Sequence, residues 1–389
     1  MCTNAIHRVA YTEINGYPKR GCMIKHSELK ITGLTARAVR VPMARPLFTA
    51  SGAIEHAALI LIDVDTDQGF TGHSYLFAFT AHIQKSILAL LEGMGAMIEG
   101  DPASPYEVER KLRAGHLLAG VHNVVLFAIS GIDMALWDAC SRSVGLPLVQ
   151  ALGGRVKRIA AYNSNGLGIM PIAKLPAEAE QLLAEGFSAI KLRLGRENAT
   201  EDLAAVRAVK DAIGSNVTLM CDFNQGLTVS EAIHRCKMLD DEGGLLWIEE
   251  PVAAENYSGI AKISHATRTA ISIGENFMGI EQMKDALKHE CCDYVMPDVQ
   301  RISGVTGWMR AAALADAEGI EMSSHLFPEY SCHLLAVTPT QHWLEYVDWA
   351  NPVLKEPLQI DSGFVQVPDR PGSGVEWDEK SVEKYLVSV

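Results

Sequence analysis

The sequence predicts an α/β protein in which an α+β module precedes a (β/α) barrel. The chain has 389 residues, which is too long for one small domain and long enough for a barrel with a second module beside it. Strand patterns precede helical patterns as far as Gly154, and after Gly154 short apolar runs alternate with amphipathic helices. Eight such runs follow Gly154, which is the number of strands in a (β/α) barrel.

The chain divides into four segments by these patterns. Residues 1–29 form a polar N-terminal extension, residues 30–154 form the α+β module, and residues 155–350 form the barrel. The last segment, residues 351–389, carries four prolines, and we expect it to pack back on the α+β module.

The α+β module is predicted to contain strands followed by helices. The strands cover Ile31–Pro42 and Ala57–Asp65, and turn residues follow the second strand at positions 67–69. The predicted helices are Thr80–Ile98, Pro105–Ala114 and Val124–Ser143.

The barrel strands are predicted from short runs of β-branched and apolar residues. These runs are Ile159–Asn163, Ala189–Leu194, Val217–Phe223, Leu245–Ile248, Ala270–Ile273, Asp293–Met296, Ile320–Ser324 and Trp343–Tyr346. The first helices between them are predicted over residues 176–186, 201–213 and 229–242. A doubly wound open sheet is the alternative, but no G-x-G-x-x-G motif opens the first unit, so the barrel is favoured.

Composition excludes several classes of partner. The net charge of −13 argues against a nucleic acid or an anionic membrane surface. The apolar runs are much shorter than the roughly 20 residues of a membrane helix, and residues 1–29 lack the apolar stretch of a secretory signal. The eight cysteines include no C-x-x-C pair, so neither a disulfide framework nor a zinc site is expected. We therefore expect a cytoplasmic protein that binds neither membranes nor nucleic acids.

Polar residues recur at the C-terminal ends of the predicted barrel strands, about 20 to 30 residues apart. One acidic residue at a strand end is usually a helix cap or a loop charge, but a succession of ionisable strand ends indicates an active site. The C-terminal ends of barrel strands meet at one mouth, so these side chains are expected to converge there. They are Lys191, Arg193, Asp222, Asn224, Glu249, Glu275, Asp298, His325 and Glu345.

Three of these residues predict a metal site. Asp222, Glu249 and Glu275 end three consecutive strands, and three carboxylates in an apolar mouth repel one another unless a cation neutralises them. Oxygen ligands with open positions for substrate and water suit Mg²⁺. In the pair Glu249-Glu250 strand alternation allows one side chain to point inward, and we assign this position to Glu249.

The remaining strand ends predict a base and flanking cations. Lys191 and Arg193 lie two residues apart and therefore face the same side of one strand. Asp298 and His325 end neighbouring strands, and an aspartate bonded to one ring nitrogen raises the basicity of the other. A divalent ion beside a base of this kind supports removal of the proton next to a carboxylate, because the metal stabilises the enediolate.

Seven short stretches carry a resemblance to a known family. They are Gly72–Phe77, Trp247–Pro251, Ile273–Asn276, Met296–Asp298, Gly304–Trp308, Met322–Phe327 and His342–Glu345. On these stretches the chain resembles the enolase superfamily and, within it, the mandelate racemase subgroup, from about Ile31 to the C-terminus. The resemblance implies a modified TIM barrel, (β/α)7β, beneath an α+β capping domain, with bound Mg²⁺ and homo-oligomeric assembly.

The resemblance also implies roles for single residues. Asp222, Glu249 and Glu275 would bind Mg²⁺, and His325 with Asp298 would form one catalytic base. The residues that would contact the substrate are Lys191 and Glu345 at its carboxylate, Asn224 at its 2-hydroxyl and Ser164 at a carboxylate oxygen.

Two positions depart from the mandelate racemase pattern. Arg193 stands where that pattern has the lysine that is the second base, and a guanidinium with a pKa above about 12 is a poor proton acceptor. Arg45 lies on the loop 42–54 that matches the specificity lid, where an arginine would suit a polyhydroxy or second anionic group. Leu47 and Ile54 keep part of the same loop apolar.

Together these features predict Mg²⁺-dependent abstraction of the α-proton of a small-molecule 2-hydroxy carboxylate. Because Arg193 leaves His325 as the only strong base, dehydration of a sugar acid to a 2-keto-3-deoxy acid is favoured. The alternatives are a racemase or epimerase of a 2-hydroxy acid such as mandelate, a non-catalytic carboxylate-binding relative, and a Schiff-base aldolase that uses Lys191 as its nucleophile.

Overall fold

The computed structural model describes residues 28–388, so most of the predicted polar extension lies outside the described residues. The first part of the chain is a three-stranded antiparallel sheet covered by helices. Its strands are β1 (Ile31–Thr49), β2 (Gly52–Thr66) and β3 (Thr71–Phe77). The helices that follow are α1 (Ala81–Ile98), α2 (Pro105–Gly115), α3 (Val124–Ser143) and the short α4 (Leu148–Ala151).

All three strands of this sheet differ from the prediction, since β2 begins at Gly52 and not at Ala57. β1 continues past Pro42 to Thr49, because residues 47–49 pair with residues 52–54 after an irregularity that follows Pro42. The predicted lid loop is therefore the tip of a β-hairpin. β3 was not predicted as a strand; it pairs with β2 from Thr71 to Phe77. Most of its residues are buried, so it lacks the alternation of polar and apolar residues that marks a half-exposed strand.

Helix α3 is a core element. It is long and apolar enough, by length and composition alone, to cross a membrane, but most of it is buried inside the protein. It packs on β3 and α1. Gly72 of β3 lies so close to α3 that an added Cβ would stand 1.9 Å from the carbonyl oxygen of Ala135.

The second part is a closed barrel of eight parallel strands. They are β4 (Arg158–Asn163), β5 (Ala189–Arg193), β6 (Thr218–Asp222), β7 (Leu245–Glu249), β8 (Ala270–Ile273), β9 (Tyr294–Val295), β10 (Glu321–Met322) and β11 (Leu344–Tyr346). Strands β4 to β10 pair in sequence order, and β11 pairs with β4. Backbone bonds from Ser324 N to the Trp343 oxygen (3.0 Å) and from His342 N to the Met322 oxygen (2.9 Å) close the gap between β10 and β11.

Seven helices cover the barrel. They are α5 (Leu175–Ala184), α6 (Ala199–Ile213), α7 (Val229–Glu242), α8 (Tyr257–Ala266), α9 (Ile280–Lys288), α10 (Gly304–Glu318) and α11 (Pro328–Val337). One helix follows each of the first seven strands, which confirms the predicted (β/α)7β barrel with its α+β capping module. Tyr162, Met220 and Trp247 belong to a separate cluster that fills the barrel interior.

The C-terminal segment touches both parts of the protein. Its strands β12 (Ile360–Asp361) and β13 (Phe364–Gln366) form a hairpin that extends β4 in the antiparallel direction. Its helix α12 (Glu379–Tyr385) packs on β1, where Arg37 contacts Glu379 at 2.6 Å.

A buried ion-pair cluster joins the capping module to the barrel. Glu109 of α2 is only 3% exposed and accepts hydrogen bonds from both terminal nitrogens of Arg310 on α10 at 2.9 Å. Arg113 donates to the same carboxylate at 2.8 Å, and Ser303 donates at 2.9 Å. These bonds hold the capping sheet over the C-terminal ends of the barrel strands.

Candidate active site

A cavity of about 340 Å³ lies where the capping module meets the C-terminal ends of the barrel strands. Four of the predicted residues do not line it: Arg45, Ser164, Glu249 and Asp298. The predicted residues that line the cavity are Leu47, Ile54, Lys191, Arg193, Asp222, Asn224, Glu275, His325 and Glu345.

Three carboxylates lie close together at this cavity, of which Asp222 and Glu275 line it and Glu249 lies beneath them. Asp222 ends β6, Glu249 ends β7 and Glu275 follows β8, and one oxygen of each lies within 4.8 Å of the others. Burial raises the pKa of Asp222 and of Glu249, Lys191 offsets part of this rise, and the neighbouring carboxylates add to it. A bound cation would stabilise such a cluster, because it would offset the repulsion between the three carboxylates.

The chemistry of the donors fits Mg²⁺. The three residues supply oxygen ligands only, and the open side of the cluster faces the cavity. Asn224 donates from its Nδ2 to Asp222 Oδ2 at 2.8 Å, while its own Oδ1 is buried without a hydrogen-bond partner in the described structure. An unpartnered buried acceptor beside three carboxylates is the environment that a hydrated cation satisfies.

Glu250 is buried as well, although strand alternation predicted one inward glutamate. The chain turns after Glu249, and Glu250 has a φ of 41°, which redirects its side chain. Its Oε1 accepts a bond from Gly274 N at 3.1 Å. The assignment of Glu249 to the carboxylate cluster agrees with the geometry, and Glu250 lies beside that cluster.

Lys191 is enclosed by carboxylates. Its Nζ lies 2.7 Å from Glu249 Oε1, 2.8 Å from Glu345 Oε1 and 3.5 Å from Asp222 Oδ2. Burial alone would lower the pKa of Lys191, but these three charges raise it above its ordinary value. Lys191 therefore remains a cation, which opposes its use as the amine nucleophile of an aldolase.

Arg193 reaches the cavity beside Lys191, as its position on β5 predicted. Its Nη1 donates to the carbonyl oxygens of Ser164 (2.7 Å) and Gly166 (3.1 Å), and its Nη2 donates to Ser164 Oγ at 2.8 Å. Ser164 in turn donates to Glu345 Oε1 at 2.6 Å. Ser164, which was expected to contact a carboxylate oxygen of the substrate, does not line the cavity, and its hydroxyl bonds both Arg193 and Glu345.

His325 and Asp298 form the predicted dyad. The ring Nδ1 of His325 lies 2.7 Å from Asp298 Oδ2, so the neutral ring carries its proton on Nδ1 and leaves Nε2 as the acceptor. Nε2 lies 3.4 Å from Glu275 Oε2 and 3.8 Å from Glu345 Oε2. Burial would lower the pKa of His325, but Glu275, Glu345 and Asp298 together raise it to about 9.

Glu345 is held in its ionised form. Burial would raise the pKa of Glu345, but Lys191 and His325 hold it below its ordinary value. Its Oε2 also accepts a bond from Leu326 N at 2.8 Å. The carboxylate therefore joins the lysine side of the cavity to the histidine side.

Arg45 does not occupy the position that the lid resemblance implied. Its guanidinium forms an ion pair with Glu185 at 2.6 Å, after the end of α5 and outside the cavity. Glu185 also accepts a bond from Asn163 at 2.9 Å. Leu47 and Ile54 of the same hairpin do line the cavity.

Several cavity residues escaped the sequence-based prediction. Phe77 and Phe79 come from the end of β3 and the segment after it, and Trp349 follows β11. Arg301 lies three residues after Asp298 and lines the cavity under the capping module. Proximity to Asp298 was the one available signal for Arg301, whereas the aromatic residues depend on how the capping module docks.

Comparison with known proteins places the chain in a family. Residues 31–153 match the mandelate racemase/muconate lactonizing enzyme N-terminal domain, and residues 174–381 match the enolase C-terminal domain-like family. A curated relative is the L-talarate/galactarate dehydratase of Salmonella typhimurium, which is 28% identical over 88% of this chain and 87% of its own length. Further curated relatives are cycloisomerases, sugar-acid dehydratases and an epimerase.

Two solved structures are more similar in sequence. An enolase from alpha proteobacterium BAL199 with bound Mg is 44% identical, with a TM-score of 0.90, over 92% of this chain and 100% of its own. An enolase from Bradyrhizobium, complexed with magnesium and mandelic acid, is 41% identical, with a TM-score of 0.88, over 93% of this chain and 100% of its own. With both of its parts matched, this chain belongs to the mandelate racemase/muconate lactonizing enzyme family of the enolase superfamily.

Proposed function

We propose that this protein is a Mg²⁺-dependent enzyme that removes the α-proton of a 2-hydroxy carboxylate and then eliminates water from a sugar acid. The product would be a 2-keto-3-deoxy acid. The observation that carries the proposal is the asymmetry of the cavity, because the nitrogen side chain on one side is a histidine base and those on the other side, Lys191 and Arg193, are cations.

The asymmetry follows from the protonation state of each nitrogen side chain in the cavity. Among the described residues that line the cavity, His325 is the only histidine and Lys191 the only lysine. Lys191 is held as a cation by its carboxylates, and Arg193 cannot accept a proton near neutral pH. The Nε2 of His325 is therefore the one strong base, and it acts on one face of the substrate.

The metal site would complete the chemistry. Asp222, Glu249 and Glu275 would hold Mg²⁺, which supplies the positive charge that stabilises the developing enediolate. Lys191, which lies beside the same carboxylates, would also face the substrate carboxylate and add a second positive charge. A cation on Glu275 would also offset the charge that most raises the pKa of His325, so more of the ring would be neutral and able to accept a proton.

Elimination needs no second base. His325 would take the α-proton at Nε2, and the electron pair of that C–H bond would pass into the enediolate and then form the C2–C3 double bond as the 3-hydroxyl leaves. The same Nε2 proton would go to the departing hydroxyl, so that water is lost and His325 is neutral again. The resulting enol would lose the proton of its 2-hydroxyl group, take up a proton from solvent at C3 and become the 2-keto-3-deoxy acid.

Polar groups around the cavity support a polyhydroxy substrate. Asn224 lines the cavity beside Asp222 and is placed to bond a 2-hydroxyl. Further hydroxyl and amide groups for the rest of the chain of the substrate come from Thr49, Ser51, Gln225 and Asn276. The similar dehydratase of Salmonella typhimurium is named for talarate and galactarate, which are sugar acids.

Proton NMR in D2O with Mg²⁺ tests the proposal. The substrates are a panel of aldonates and aldarates together with both mandelate enantiomers. We expect one sugar acid to give a 2-keto-3-deoxy product that carries one deuterium at C3. Absence of α-proton exchange from every member would support the non-catalytic carboxylate-binding alternative.

A racemase or epimerase of a 2-hydroxy acid is the second candidate, because one wall of the cavity is apolar. Leu47, Ile54, Phe77 and Trp349 form this wall, and they would suit an aryl or alkyl substituent. The similar enolase from Bradyrhizobium was solved with mandelic acid. Inversion at the α-carbon without a keto-acid product would establish this candidate over the dehydratase.

We also propose a cytoplasmic location and a homo-oligomeric assembly. The cysteines in the described part of the chain are free thiols, which supports a reducing compartment. Leu117 and Leu118 are exposed side by side after α2, which supports a contact with a second copy of the chain. Light scattering on the purified protein measures the assembly.

A further inference from the structure

Arg301 is a buried cation that forms no ion pair within the described residues. It is 9% exposed and follows β9, three residues after Asp298. Its Nη1 donates to Asn276 Oδ1, and its Nε is buried without a partner in the described structure. Its guanidinium carbon lies 5.0 Å from the ring centre of Phe79 and 5.9 Å from that of Phe127.

Two buried arginines outside the cavity differ from Arg301, because each forms an ion pair with a carboxylate. Arg235 is 4% exposed and lies 2.6 Å from a carboxylate oxygen of Asp202. Arg196 contacts the same carboxylate at 3.5 Å. A buried charge without a counter-ion is costly, and an aromatic face or an amide oxygen offsets only part of that cost. Arg301 lines the cavity, so an anion bound there can supply the missing charge.

The position of Arg301 in the barrel suits the far end of a substrate. Lys191 and Arg193 lie on β5, the second barrel strand, and Arg301 follows β9, the sixth. In a closed barrel of eight strands these two strands stand opposite each other. A ligand whose first carboxylate lies near Lys191 therefore has its other end on the Arg301 side of the cavity.

We propose that Arg301 is the specificity-determining residue that binds the distal carboxylate of a dicarboxylic sugar acid. This inference rests on the proposed function and narrows its substrate class from sugar acids in general to aldarates. The guanidinium would bind the distal carboxylate, with Asn276 and the ring of Phe79 fixing its orientation. Arg301 takes the role that the sequence suggested for Arg45, which is paired with Glu185 outside the cavity.

Binding titrations with matched acids test this inference. Each pair consists of an aldarate and the aldonate of the same configuration: glucarate with gluconate, galactarate with galactonate, and mannarate with mannonate. Calorimetry in Mg²⁺-containing buffer gives the ratio of the two Kd values for each pair, and in these titrations the wild-type protein and every variant also carry H325N so that no acid is turned over. A hydrogen-bonded charge pair predicts that the wild-type protein binds at least one aldarate about ten-fold or more tightly than its aldonate.

Two variants and a control separate recognition from structure. R301M keeps the length of the side chain but removes the charge, and it should bring the ratio for the preferred pair close to one with little change in aldonate affinity. R301K should restore part of the preference. R45M is the matched control, because it removes a lid arginine outside the cavity, and its ratio should equal that of the wild-type protein.

Three other outcomes would separate this inference from its alternatives. Absence of an aldarate preference in all three pairs would overturn the inference. Equal weakening of both acids by R301M would assign Arg301 to positioning, since Asn276 donates to Glu275 at 3.1 Å and Arg301 would then act through that bond. An aldarate preference without α-proton exchange would refute the proposed function and leave the inference intact.

Discussion

At the scale of single residues, the site depends on contacts that fix protonation states. The bond that Nδ1 of His325 donates to Asp298 leaves Nε2 as the acceptor, and the carboxylates around Lys191 keep that residue charged. Ser164 and the Gly166 carbonyl occupy the guanidinium of Arg193. The two sides of the cavity therefore differ in chemistry, although both carry nitrogen side chains.

Replacing the base tests this assignment. H325N removes the proton acceptor, and we expect α-proton exchange to fall by about 10²-fold or more, the typical contribution of general-base catalysis. Exchange is measured by NMR in D2O on the best substrate of the panel. H289N is the control, since His289 is exposed at the end of α9 and bonds its own helix, and this variant should exchange at the wild-type rate. Unchanged exchange in H325N would refute the role of the dyad.

Binding of Mg²⁺ to the carboxylate cluster can be tested without enzymatic turnover. Mg²⁺ binding to the folded state alone should raise the Tm by a few degrees at saturating concentration. E275Q should lose this Mg²⁺-dependent rise, because Glu275 is one of the three ligands in the cluster. Differential scanning fluorimetry with and without Mg²⁺ measures both, and E318Q on the exposed face of α10 is the control. An equal rise in E275Q would place the cation elsewhere.

At the scale of the elements, the strand ends could be predicted and the cavity walls could not. Asp222, Glu249 and His325 follow short apolar runs at the spacing of a βα unit, so their convergence follows from the barrel itself. Arg45 lies on a hairpin, and its partner, Glu185, is 140 residues away in the chain. Neither propensity nor periodicity carries information about such a pairing.

A strand was also harder to predict where both of its faces are nearly buried. β3 has inward and outward residues that are almost all buried, so period-two patterning is absent. Phe77 at its end consequently could not be placed at the cavity from the sequence. The half-exposed helix α1 was predicted to within a residue at both ends.

The close approach of β3 to α3 gives a prediction at this scale. G72A places a methyl group where the carbonyl of Ala135 stands, so the helix must move away from the sheet. We expect the free energy of unfolding to fall by roughly 1–3 kcal/mol, as overpacking usually costs. Urea denaturation measures the change. G33A in β1 is the control, since nothing lies within 4 Å of its added Cβ, and equal stabilities of the two variants would contradict the packing described.

At the scale of the whole molecule, the capping module is held on the barrel by buried ionic bonds. The cavity needs both parts, since Phe77 and Leu47 come from one and His325 from the other. Glu109 joins them through Arg310 and Ser303. Loss of this junction is expected to loosen the roof of the cavity.

E109Q tests the junction through stability and its pH dependence. Glu109 is buried but its partners Arg113 and Arg310 are 30% and 41% exposed, so removing its charge should cost about 1–3 kcal/mol. Burial would raise the pKa of Glu109, but bonds from Arg310 and Arg113 hold it below its ordinary value of 4.5. The unfolded carboxyl therefore takes up a proton first as the pH falls. The stabilisation is present above about pH 4.5 and is lost as the pH drops through the folded-state pKa.

Urea denaturation at pH 7 and near pH 3 measures both effects. The stability difference between wild type and E109Q should be large at pH 7 and smaller at pH 3. E107Q is the control, because Glu107 lies on the same helix in an exposed pair with Arg110 and should change stability by less than about 0.5 kcal/mol. A pH-independent difference would show that the charge of Glu109 does not contribute.

The measurement that tests the central claim most directly is α-proton washout from both enantiomers of each 2-hydroxy acid in D2O with Mg²⁺. A single base on one face, His325, predicts that one configuration at C2 loses its α-proton and the other does not, with no interconversion of the two. Washout from both configurations, or inversion of either, would demonstrate a second base on the Arg193 side and contradict the account.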